Sequence, residues 1–258
     1  MMGVIEHRTT TSSNRADRRS RFLLVVDSDA NSLSYTSLLL HRFNYQIFKA
    51  MTAEEAIQMA MVAVPALIIT ALALKGMSGF EFMQQLKDYP VTASIPVIAL
   101  SRQDDLSVKR RCLELGMVDC LYHPVPPEML YRVVQVAAEK TPRTNMRIRT
   151  TRSVKVTNMP LEGFEGAYVL ELSERGLFLR TTQQAVRDMR LLLQLDLNGQ
   201  LIVTEALVVY NCEALKGPYH EPGMGLQFVQ IDPKDQERIR TFIMQEVMRD
   251  ITPGHMKG

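Results

Sequence analysis

Arg143 and Arg147 stand four residues apart, and the run Glu171-Leu172-Ser173-Glu174-Arg175-Gly176 follows before Leu177-Phe178-Leu179. A guanidinium presents a planar fork of donors that fits phosphate oxygens and the O6/N7 edge of guanine, and its face can stack on a base. Glu171 adds an acceptor, Ser173 a hydroxyl, and Gly176 a permissive backbone position. Together they read as a cradle for a compact phosphorylated ligand of nucleotide type. The plainer reading is also open. Lys140, Arg143, Arg147, Arg149, Arg152 and Lys155 form a stretch without an acid before Glu162, as a solvated linker does.

The elements that must position these residues fall into two halves. Phe22 to Val26 is a continuous apolar run halted by Asp27, as in a strand buried on both faces. Helical spacing over Leu33–Phe43 precedes a short strand over Tyr45–Phe48. Thr52 and Glu55 form a capping-box pattern at the start of the next helix. Leu67–Ile69, Pro96–Leu100 and Val118–Tyr122 complete five predicted strands. Phe80–Leu86, Asp104–Leu115 and Glu128–Lys140 complete five helices. Strict alternation implies a doubly wound parallel sheet whose working edge lies at the carboxyl ends of the strands.

After the basic stretch the period becomes that of strands: Ser153–Val156, Gly166–Leu172, Leu177–Thr181, Leu191–Leu197, Leu201–Tyr210 and Gly223–Val229. Asn198-Gly199 predicts a type I′ hairpin turn. Asp232-Pro233 then opens a helix over Asp235–Met248, with Ile239, Phe242, Ile243 and Val247 on one face. These elements predict a small six-stranded β-barrel with the helix covering one opening.

Composition bounds the functions. With 258 residues there is room for about two domains. Net charge of +2 gives no general attraction to nucleic acid, and none is expected as a partner. Scattered Cys112, Cys120 and Cys212 lack metal-ligand or disulfide spacing and suggest a reducing, cytoplasmic setting. No stretch approaches the roughly 18 apolar residues of a membrane span. Met1–Arg21 has five arginines among Ser and Thr and no apolar core, so it reads as a disordered basic tail rather than a secretory signal. No catalytic triad, metal cluster or Walker loop is visible, so no enzyme, metal or cofactor is expected.

Val25-Val26-Asp27-Ser28, the stretch from Pro65 to Gly79, Ile95 to Ser101 and Tyr122-His123-Pro124 resemble the receiver domain of bacterial response regulators, a flavodoxin-like fold. The resemblance covers residues 21–139, after a tail over 1–20. It implies a phosphoacceptor aspartate at the end of the third strand, where this chain has Ala71. The paired magnesium-binding acids correspond to Asp27 and Ser28, and the conserved lysine to His123; only Ser101, the switch hydroxyl, agrees. An alanine methyl is no nucleophile, and a hard cation wants oxygen ligands. The expectation is therefore a receiver without a phosphoacceptor, serving as an interaction module. Asp27 and Asp29 then read as helix-capping or solvated acids, and His123 as a hydrogen-bonded loop residue.

From residue 153 to 250, with the basic linker 140–152 before it, the chain resembles the PilZ domain, the receptor module for cyclic di-GMP. Arg143-x-x-x-Arg147, the Ser173-x-x-Gly176 turn and the Gly-Met-Gly-Leu-Gln-Phe strand at Gly223–Phe228 carry that resemblance. It implies that Arg143 and Arg147 grip phosphates and guanines, that Ser173 bonds phosphate or base, and that Gly176 lets the backbone turn beneath the ligand. Glu171 stands where the family has Asp or Asn. Its carboxylate is kept for guanine N1–H and N2–H, one methylene further out. The expected function is a cyclic di-GMP effector with an unidentified protein partner on the receiver; the alternative is a nucleotide-independent scaffold with both domains degenerate. A homodimer is left open, as receivers often pair through the face of their last helices.

Overall fold

The structure, a computed structural model, describes residues 22–158, 164, 166–214 and 221–251. The expected N-terminal tail lies outside the described residues. The chain forms two units: residues 21–149 with those from 237 onward, and residues 150–236.

The first unit contains β1 (Phe22–Val26), α1 (Ala30–Arg42), β2 (Gln46–Ala50), α2 (Ala53–Val62), β3 (Leu67–Ala71), α3 (Gly79–Asp88), β4 (Val97–Ser101), α4 (Leu106–Glu114), β5 (Asp119–Tyr122) and α5 (Pro127–Ala138). The strands pair in parallel in the order β2-β1-β3-β4-β5. All five residues of β3 and of β4 are buried, which explains their unbroken apolar runs. Leu24, Val26, Ile68, Val97 and Ala99 share a core with Ala56 and Ile57 of α2 and Phe82, Met83 and Leu86 of α3. The helix starts follow their caps. Asp29 accepts from the amides of Asn31 and Ser32 and starts α1 three residues before the apolar spacing begins; Ser78 and Glu81 form a reciprocal box at α3.

The second unit is a closed barrel of β6 (Arg147–Val156), β7 (Tyr168–Ser173), β8 (Gly176–Arg180), β9 (Arg190–Leu197), β10 (Gln200–Cys212) and β11 (Gly223–Gln230), in the order β10-β11-β8-β7-β6-β9. The unit boundary falls within β6. Asn198 and Gly199 both take positive φ, 56° and 82°, as the type I′ turn between β9 and β10 requires. Leucines at 191, 193, 195 and 197 alternate inward along β9. β6 begins at Arg147, earlier than its apolar alternation suggests. Ile148, Val154 and Val156 are buried, while Arg149, Thr151, Ser153 and Lys155 are exposed; the outward charges mask a strand of period two.

α6 (Pro233–Met248) is present, with Ile239, Phe242, Ile243 and Val247 buried as expected. Its packing corrects the expectation of a barrel lid. From Glu237 onward the helix belongs to the first unit, where Arg42 Nη2 at the end of α1 donates to the Arg249 carbonyl at 3.3 Å and pairs with Asp250 at 3.4 Å. Apolar periodicity shows that a helix has a face to bury, but not which surface receives it.

Candidate functional site

Arg143 and Arg147 lie in the first unit, at the end of a segment fastened to α5. Gln135, 1% exposed, is the hub. Its Oε1 accepts from the Arg143 amide at 2.9 Å, and its Nε2 donates to the Tyr45 hydroxyl at 2.8 Å. Tyr45 in turn donates to Glu139 Oε1 at 2.9 Å. One turn earlier on α5, the Tyr131 hydroxyl donates to the Asn145 carbonyl at 3.0 Å. Met146 and Ile148, beyond these anchors, are buried. The basic stretch is thus ordered along its backbone rather than solvated throughout. The sequence carried one signal for this: Gln135 interrupts an otherwise apolar helix face of Leu130, Tyr131, Val134 and Ala138. A polar side chain there needs buried partners, and here it finds the backbone of the arginine segment.

Glu171, Ser173 and Gly176 lie in the second unit. In the β7–β8 ladder Glu171 opposes Phe178, and Ser173 opposes Gly176, with a bulge at Leu170 between Val169 and Glu171. Glu171 and Ser173 therefore share the face opposite Leu172, and both are buried. The Ser173 hydroxyl donates to the Gly176 carbonyl at 2.9 Å, so in this structure it locks the Glu174-Arg175 turn. Gly176 is needed for a different reason than turning: a Cβ on it would stand 2.2 Å from the Leu226 carbonyl of β11. Across β11, a Cβ on Gly225 would enter the Tyr210 ring. Glycine is required at both places by close approach, which lets Phe178, Leu170 and Cys212 pack with Tyr168 and Tyr210.

A second candidate region surrounds Ala71 at the carboxyl end of β3. A cavity of about 340 Å³ is lined there by Asp27, Ser32, Ser101, Arg102, Gln103 and His123 together with apolar side chains. Asp29 is the α1 cap, as expected of a capping acid, and pairs with Arg102 at 3.3 Å. Asp27 is neither capping nor solvated: it is buried and accepts the Asp29 amide at 2.9 Å. Burial pushes its carboxyl above the usual range, only partly offset by that hydrogen bond. The Ser28 hydroxyl donates to the Met51 carbonyl and accepts the Lys75 amide. Ser101 is tied to its own loop through Gln103. His123 is hydrogen-bonded, as expected of a loop residue, but through its backbone. Its amide donates to Ser101, but its buried Nε2 meets no partner among the described residues, and burial holds its pKa low.

Residues 23–135 match the family model of the response regulator receiver domain, and residues 140–245 match that of the PilZ domain. The chain is a receiver domain followed by a PilZ domain. Among curated proteins it is similar to the response regulator PleD of Caulobacter vibrioides, 32% identical over 116 residues, or 45% of this chain. The chain spans only 25% of the length of PleD. Among solved structures it is similar to a response regulator from Desulfuromonas acetoxidans, 32% identical over 42% of this chain and 87% of that one, TM-score 0.39. It is also similar to the chemotaxis response regulator CheY4 of Vibrio cholerae, 24% identical over 45% of this chain and 98% of that one, TM-score 0.43. Receiver and PilZ domains are regulatory modules, typically without catalysis. No described helix is long and apolar enough to cross a membrane, and no group of three or more His, Cys, Asp or Glu that could hold a metal occurs among the described residues.

The PilZ match begins at residue 140, so it takes in the segment that the receiver's α5 holds. Removing the hydroxyl at the centre of that anchor, Tyr45→Phe, should cost about 1–3 kcal/mol, because Gln135 and Glu139 are buried beside it. Urea unfolding measures this, and an unchanged midpoint would contradict the buried network. Asp27 yields a prediction with a definite sign. Its folded-state pKa lies above the ordinary value of 3.8, so the folded protein holds the proton more tightly and loses stability as pH rises through that window. Asp27→Asn should therefore raise the unfolding midpoint at pH 7, with the gain shrinking as pH falls below that value. A variant less stable than the native chain at pH 7 would refute it.

Proposed function

We propose that this protein is a cyclic di-GMP effector of two-component signalling in which the receiver acts as an interaction module. Arg143 and Arg147 take the phosphates and guanine edges, Glu171 accepts guanine N–H donors, and Ser173 and Gly176 form the turn beneath the ligand. The observation that carries this reading is the position of the two arginines at the head of the PilZ match, on a backbone already ordered by Gln135 and Tyr131. An ordered backbone lowers the entropy lost on binding.

The receiver's part follows from its pocket. Ala71 offers no oxygen nucleophile, Asp27 is the one carboxylate lining the cavity, and the Ser28 hydroxyl is engaged with Met51 and Lys75. These residues do not fit a magnesium-assisted phosphoryl transfer to Ala71. The receiver then passes on the state of the PilZ domain by binding an output protein, not by accepting a phosphoryl group.

A second reading, a scaffold that needs no nucleotide, draws support from the Ser173 hydroxyl being engaged in its own turn and from Glu171 being only 2% exposed. Calorimetric titration of the full chain with cyclic di-GMP separates the two. The effector reading expects micromolar binding that Arg147→Ala weakens about tenfold or more, the loss of a charge-assisted contact. Absence of heat with the native chain, with binding gained in Glu171→Asp, would establish the scaffold.

A further inference from the structure

Beside the edge strand β2 lies an apolar groove that the proposed function leaves unused. It is a cavity of about 350 Å³ lined by Phe22 of β1, Phe48 of β2, and Gln58, Met59, Val62 and Ala63 at the end of α2. Gln58 is the one polar side chain of that lining. The rings of Phe22 and Phe48 meet edge to face at 4.6 Å. Val62 is 89% exposed and Phe48 40% exposed, so the groove stands open among the described residues. Large apolar side chains gathered in a groove, rather than scattered singly, mark a surface that something covers.

The chain itself indicates what covers it. Phe22 is the first described residue and lines the groove, so the residues before it are attached at the groove. Their composition is divided. Met1, Met2, Val4 and Ile5 are apolar, whereas from Glu6 to Arg21 the only apolar side chain is Ala16. That polar stretch is 16 residues long (21 − 6 + 1) and carries Arg8, Arg15, Arg18, Arg19 and Arg21. A random coil of that length spans on the order of 20 Å, enough to return Val4 and Ile5 to a groove at its own point of attachment. So short a tether sets a local concentration of about 1 mM, so a segment of weak affinity in trans is still held in place. A second copy of the chain would need that concentration in bulk solution to compete.

We infer that the segment Met1–Ile5 seats in the groove formed by Phe22, Phe48, Met59 and Val62, with Val4 and Ile5 supplying the side chains that fill it. The receiver thereby carries its own cover for this surface, and the arginine-rich tether is held at both ends. The contact lies within the receiver and is independent of cyclic di-GMP.

Cys112, Cys120 and Cys212 are buried, so Ile5→Cys combined with Val62→Cys places two reactive thiols in the full chain. Oxidation of the dilute protein with oxygen and copper phenanthroline should close an intrachain disulfide about tenfold faster than in a control pair. The control combines Ile5→Cys with Val136→Cys, a 63% exposed position on α5. Adding Met2→Ser and Val4→Ser should lower the rate to that of the control, because the tether is unchanged and only its apolar end is lost. Equal rates in the two pairs would overturn the inference, as would a closure rate that Met2→Ser and Val4→Ser leave unchanged. Disulfides formed mainly between two chains, and rising with protein concentration, would overturn it in favour of a second copy in the groove.

Discussion

Gln135 is buried on α5, and its side-chain oxygen takes the backbone amide of Arg143. Because Gln135 also takes the Tyr45 hydroxyl, which reaches Glu139, the basic segment cannot leave α5 without exposing or orphaning a chain of buried polar groups. That constraint turns what composition describes as a linker into part of the receiver's surface. It also makes Arg143 and Arg147 dependent on a helix that carries no ligand chemistry of its own. Any ligand held by those arginines is thermodynamically linked to the packing of α5.

The barrel contributes a different kind of precision. Strands β8 and β11 approach so closely that Gly176 cannot carry a Cβ past the Leu226 carbonyl. Beyond the bulge at Leu170, strand alternation puts Glu171 and Ser173 on one face of β7, paired with Phe178 and Gly176. Acceptor, hydroxyl and glycine are therefore held in fixed register by main-chain pairing, which is more exact than a free loop would be. The tied Ser173 hydroxyl means that ligand contact through this residue requires exchange of one hydrogen bond for another, a step of small net cost.

Much of the fold was legible because burial leaves a simple mark. β1, Leu67–Ile69 of β3 and Val97–Leu100 of β4 are unbroken apolar runs, and Asn198-Gly199 announces its hairpin through backbone chirality. What escaped was of three kinds. The first residues of β6 were hidden by its exposed and half-buried arginines, where a strand and a basic linker look alike. Asp27 reads as a capping acid beside Asp29, yet only the fold decides which of two neighbouring carboxylates enters the core. The apolar stripe of α6 was plain, but its docking with the unit that contains Arg42 depends on surfaces far apart in sequence. For the candidate site the residue types were readable; the hub at Gln135 and the close-approach role of Gly176 were not, because both depend on contacts between elements.

We propose that cyclic di-GMP contacts the arginines of the α5-anchored segment and residues of the β7–β8 turn. Hydrogen–deuterium exchange of the full chain, with and without saturating cyclic di-GMP, tests it most directly. Slower exchange is expected both from Arg143 to Ile148 and from Ser173 to Leu177. Unchanged exchange in the arginine segment while the ligand is bound would contradict it.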